Sequence, residues 1–193
     1  MKFAHTAVAA ALGLAFCGAA FAQAGTVQRD VNQQQRIEQG LQSGQLTTRE
    51  AGKLEREEAR VERDQARAMQ DGKLSPAEKA RLAREQNRVS RDIYREKHDA
   101  QTGNPNSASS RRMQADVQRN INQQQRIEQG VRSGSLTNRE TAKLERGEAR
   151  INRQEARAGA DGHVGAREQR RVQRAENRES RRIHREKHDA QSK

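Results

Sequence analysis

The chain repeats itself. Residues 28–101 align without a gap on residues 118–191, and about 45 of the 74 positions are identical. Gln33-Gln34-Gln35-Arg36-Ile37-Glu38-Gln39-Gly40 recurs as Gln123 to Gly130, and Glu96-Lys97-His98-Asp99-Ala100-Gln101 recurs as Glu186 to Gln191. A fold built from this chain must therefore accommodate two copies of one unit.

The residues ahead of the first copy have another character. Lys2 gives a positive start, Ala7 to Phe16 is apolar, and Ala20-Phe21-Ala22 is a small-x-small site before Gln23. This pattern predicts a signal peptide over 1–22, cleaved after Ala22, and a periplasmic or secreted mature chain. The apolar run falls short of the ~20 residues that a spanning helix needs. Cys17 leaves with this segment, so neither disulfides nor thiolate metal sites are expected. One third of the residues are charged and 2% are aromatic. Each copy has few large apolar side chains, so the expectation is a thin core rather than a deep one.

Punctuation within a copy marks three helices. The first carries Val31, Ile37 and Leu41 and ends near Gly40 and Gly44. Thr47-Thr48-Arg49-Glu50 is a capping box that opens a second helix running to about Met69. Asp71-Gly72 interrupts the chain, and Ser75-Pro76-Ala77-Glu78 opens a third helix with an N-cap, a proline and a glutamate. Leu54, Val61 and Ala68 are seven apart, as are Leu144, Ile151 and Ala158, a seam suited to an antiparallel helical hairpin. The predicted class is all-α: two tandem three-helix units, 28–101 and 118–191, joined by a flexible linker at 102–117. In the second copy Gly165 replaces the Ser-Pro start and Glu179 replaces Val89, so its last helix should cap and pack least well.

Two motifs suggest metals. Gly44, Leu46 and Glu50, and likewise Gly72, Leu74 and Glu78, resemble the second half of a degenerate EF-hand loop, with Asp71 and Asp161 ahead of their glycines. The first-half ligand positions hold Gln39, Leu41, Arg67 and Met69, which supply too few oxygens. A helix of ~22 residues between the loops, ~33 Å long, would also keep them from pairing. A helix-cap role for these glutamates is the expectation, with no tight calcium site and no cofactor. His184 and His188 lie one turn apart and could hold half of a metal site, with His163 as a further ligand. No nucleophile with a neighbouring base stands out, which argues against an enzyme.

Arginines give the strongest functional signal. Arg81, Arg84, Arg88, Arg91 and Arg95 form a stripe on the third helix, repeated as Arg171, Arg174, Arg178, Arg181 and Arg185 with Arg167, Arg170 and Arg182 alongside. Lys and Arg exceed Asp and Glu by 16 to 14 in the first copy and by 18 to 11 in the second. The first stripe should be neutralised by pairs such as Arg81 with Glu85 and Arg88 with Asp92, and Arg182 should pair with Glu186. The second stripe is the candidate anion site, for lipopolysaccharide, anionic lipid, extracellular DNA or an acidic protein. Without aromatics for base stacking, sequence-specific nucleic-acid recognition is not expected.

The run Asn32 to Gly40, then Ser43-Gly44, Leu46-Thr47, Arg49-Glu50 and the closing Tyr94-Arg95-Glu96-Lys97-His98-Asp99, resembles a group of small exported, Arg-rich helical proteobacterial proteins of uncharacterised function. The resemblance implies export and helical architecture and brings no catalytic residues. The leading expectation is a non-enzymatic helical protein that binds an anionic partner. The alternatives are a metal-responsive protein and a self-assembling structural one, so an oligomer enters only with the latter.

Overall fold

The computed structural model describes residues 14–189, with side chains from residue 23 onward. Its six helices are α1 (Leu14–Ser43), α2 (Thr48–Ala68), α3 (Pro76–Lys97), α4 (Ala108–Ser133), α5 (Asn138–Ala158) and α6 (Ala166–His188). The chain is all-α among the described residues. No helix there is long and apolar enough to cross a membrane. Residues 1–13 of the predicted signal peptide lie outside the described residues, and the expected cleavage position falls within α1.

Local chemistry sets the helix ends. Thr47 and Thr137 each receive the backbone N–H of the glutamate three residues on, and that glutamate accepts the cap residue's own N–H at 2.8 Å. Ser75 and Glu78 do the same at α3, with Pro76 in the first turn. Gly165 has no side chain to offer, so α6 keeps only the return bond from its N–H to Glu168. Gly44 and Gly134 close α1 and α4 at φ 77° and 75°, a left-handed conformation that glycine adopts without strain. Leu46 N–H then returns to the Gly40 carbonyl, folding its side chain over the last turn of α1.

The two copies interlock. The principal partner of α2 is α5, and the principal partner of α1 is α4; both pairings join one copy to the other. Both are antiparallel. Gly52 near the start of α2 crosses Gly159 just past the end of α5, whereas Glu62 further along α2 meets Asn152. Likewise Ala24 and Val27 at the start of α1 share a cluster with Ile127 and Val131 late in α4. The result is a four-helix centre of α1, α2, α4 and α5, flanked by α3 against the first two and α6 against the last two.

Several expectations change accordingly. The largest apolar cluster draws Val31, Ile37, Leu41 and Leu54 from the first copy and Met113, Val117 and Ile121 from the second. A core thin within one copy becomes continuous once the seams face each other. The predicted linker at 102–117 is helical from Ala108 onward, because Met113 and Val117 are buried against the first copy. The remaining connection is tied down as well, with Gly103 N–H donating to the Gly44 carbonyl at 2.8 Å. The turn loops also meet across copies, which a view of one copy alone had excluded. Asn138 donates to the Gly72 carbonyl at 2.8 Å, and Arg49 to that of Asp161 at 3.0 Å.

Candidate anion-binding groove and buried carboxylates

Helix α6 is held by a narrow inner edge of Val172, Ala175, Glu176, Glu179 and Ile183. Arg126 fastens it to α4 through two bonds to Ser180, at 2.7 and 3.1 Å, as Arg36 fastens α3 to α1 through Ser90. The remaining side chains of α6 are exposed or half-buried. Arg167, Arg170, Arg171, Arg174, Arg178, Arg181 and Arg185 are exposed, and Arg182 is half-buried. Among the described residues only Arg182 of these eight has an ion pair, with Glu179 at 3.3 Å rather than with Glu186.

Five arginines, Arg150 from α5 and Arg178, Arg181, Arg182 and Arg185 from α6, line one groove over Ile151 and Ala175. The matching region of the first copy is charge-balanced. There Asp64 pairs with Arg67 and Arg81, Arg81 also bonds Glu85 at 2.9 Å, and Asp92 pairs with Arg95 rather than with Arg88. Four acids of the first copy, Glu57, Asp64, Glu85 and Asp92, correspond to Gly147, Gln154, Ala175 and Arg182 in the second. Without those acids, and with Glu179 the one carboxylate in its lining, the second groove is basic.

Glu179 marks how α6 adapts. It occupies the seam position of Val89, yet it is buried, with its carboxylate directly over Gly147, where any Cβ would lie 2.1 Å from it. A small residue in place of Glu57 thus makes room for a large one in place of Val89. The seam that lost an apolar contact is filled rather than empty. Burial raises the Glu179 carboxyl above the usual range, although Arg182 and Arg150 work against this.

The interior holds what sequence reasoning missed. Glu55, Glu58 and Glu62 of α2, and Glu145, Glu148 and Glu155 of α5, are buried, as are Asp30, Asp116 and Glu176. Amides stand in for counter-ions. Gln34 donates to Glu55 at 2.9 Å, Gln124 and Asn152 to Glu62 at 3.0 and 2.9 Å, Asn120 to Glu155 at 2.7 Å, and Gln65 and Gln86 to Asp30 at 2.7 Å. Among the described residues Glu176 alone of this set has an ion pair, with Arg119 at 2.7 Å. Neither oxygen of Glu58 or Glu148 has a hydrogen-bond partner. Removal from water disfavours the charged form, so burial pushes Asp30, Glu55 and Glu176 up to about 7 and Asp116 to about 8. Glu58, Glu62, Glu145, Glu148 and Glu155 are raised well above the usual range for the same reason, reinforced by the charge of neighbouring carboxylates. The available signal was that Glu55, Glu58 and Glu62 adjoin Leu54 and Val61 on one side of α2.

The other candidate residues are placed plainly. His184 and His188 stack ring on ring with centroids 4.3 Å apart, and His188 Nδ1 turns to the His184 carbonyl at 2.7 Å. Tyr94 and His98 do the same in the first copy. His163 is hydrogen-bonded to Ser109 at 3.1 Å instead of joining that pair. Glu50, Glu78, Glu140 and Glu168 of the EF-like loops all serve their helix caps. The chain matches no protein-family model, no curated protein and no solved structure.

Proposed function

We propose that this is a non-enzymatic, exported protein that binds an anionic partner along the α5–α6 side of its second copy. The carrying observation is the groove where Arg150, Arg178, Arg181, Arg182 and Arg185 gather, with the matching acids of the first copy replaced. Guanidinium groups held in a row on a helix fork onto phosphate or carboxylate oxygens, and among the described residues only Arg182 of these five has first to be released from a protein carboxylate. Export is supported by the Lys2, Ala7–Phe16 and Ala20-Phe21-Ala22 pattern.

A charge swap within the groove tests this reading. Gln154→Asp with Arg182→Asp writes two of the first copy's acids into the second. Titrated against anionic vesicles and against polyphosphate at low and physiological salt, the native chain is expected to bind with a steep salt dependence. The double variant should bind at least tenfold more weakly with unchanged helicity. Equal binding by the two proteins would mean that overall charge, rather than this groove, is responsible.

A further inference from the structure

Glu50, in the first turn of α2, comes close to Glu96, in the last turn of α3, and to Asp99 just beyond it. Each of the three carboxylates places an oxygen within 4.8 Å of the other two. Glu140, Glu186 and Asp189 repeat the arrangement in the second copy. Acidic groups often gather at a surface without consequence, but Glu50 is not at the surface. It is 5% exposed, and its two oxygens have different fates. Oε2 accepts the Thr47 N–H at 2.8 Å and the Thr47 hydroxyl at 2.9 Å. Oε1 is shielded from solvent and has no hydrogen-bond partner.

A sheltered, unpaired carboxylate oxygen is costly unless something positive meets it. The Lys53 ammonium lies 2.5 Å from Glu96 and leaves Glu50 Oε1 unserved. Lys53 is more than half exposed, so its chain can swing into water.

We propose that the first copy, where the orphaned Glu50 oxygen lies, binds one hard divalent cation, calcium fitting best, between the start of α2 and the end of α3. The donors are Glu50, Glu96 and Asp99. All are carboxylates, the donor set of hard cations, with no imidazole or thiolate to favour zinc or copper. Calcium accepts irregular oxygen shells, and the exposed Asp99 side leaves room for the waters that complete one. Glu50 holds the place of the last ligand in the EF-like loop, but its fellow donors come from the neighbouring helix rather than from the loop. With three protein ligands and a lysine to displace, affinity belongs in the weak range of ~10⁻⁴ to 10⁻³ M.

The test uses the full chain, with terbium luminescence and calcium calorimetry. One ion per chain is expected, with calcium displacing terbium. Asp99→Asn should abolish the site while keeping the acceptor for the Gln101 N–H and leaving the Thr47–Glu50 cap untouched. Asp189→Asn should leave it unchanged, and Lys53→Met should tighten it several-fold by removing the competing ammonium. The absence of saturable binding up to ~10 mM, beyond the weakest extracellular sites, would overturn the proposal. Binding undiminished in the Asp99→Asn variant would also overturn it, by placing the ion elsewhere.

Discussion

Glu58 and Glu148 occupy equivalent positions in the two copies, and both are buried without a hydrogen-bonding donor. Around Glu58 stand Asp30, Glu55 and Glu57, with Arg36 in opposition; around Glu148 stand Glu145, Glu176 and Glu179, with Arg126 in opposition. Their folded-state pKa values lie above the unfolded value of 4.5, so the folded chain holds protons that the unfolded chain releases. Stability therefore falls as pH climbs from the unfolded pKa towards the folded one. For Asp30 and Glu55, raised to about 7, the loss is complete a little above that pH. One such group costs on the order of 3 kcal/mol at neutral pH relative to mild acid. Urea unfolding across pH 5 to 8 should show the protein most stable at the acid end. Glu58→Gln with Glu148→Gln should flatten the curve, gaining stability at pH 8 and little at pH 5. Native stability that rises with pH would contradict the buried-acid picture. The arginine stripe was legible because its spacing and charge stand out on any helical projection. The buried glutamates were not, since a carboxylate beside Leu54 or Val61 ordinarily turns to solvent.

At the scale of elements, helix boundaries were the most legible part of the fold. Capping boxes and glycine turns are local chemistry, satisfied by residues three or four positions apart, and α2 and α3 begin where those signals stand. Helix pairing was harder to read, because Leu54, Val61 and Ala68 make a seam that fits a neighbour from either copy. The decisive contact is a pair of glycines. A Cβ on Gly52 would lie 3.2 Å from Gly159 Cα, and one on Gly159 would lie 2.7 Å from Met113 and 2.9 Å from the Thr48 carbonyl. Leucine at position 159 has to push α2 and α5 apart, and Gly159→Leu should cost about 1 to 3 kcal/mol in urea unfolding. Gly25 on α1 has open space around its missing Cβ. Gly25→Ala should accordingly stabilise by up to ~1 kcal/mol through helix propensity alone. A harmless Gly159→Leu would mean that the two helices do not cross there.

For the whole molecule, the main packing runs between the copies, and neither copy covers its own apolar seam. Residues 23–103 expressed alone would expose Val27, Leu41 and Leu54 to water. Their natural cover is a second molecule of the same fragment, arranged as α4 and α5 are in the full chain. The fragment is expected to gain helicity with concentration and to sediment as a dimer when folded, measured by circular dichroism and ultracentrifugation. A folded, dilute monomer would count against the interlock. The full chain should show no such concentration dependence, because its two halves are already tethered. Tethering has one more effect. A dimer of identical subunits must display the same groove on both sides, whether or not two are useful. Joined in one polypeptide, the halves are free to differ, and here one side carries acids where the other carries glycine, glutamine, alanine and arginine. An approaching anion therefore meets a molecule with a front and a back, built on a scaffold that is nearly two-fold symmetric.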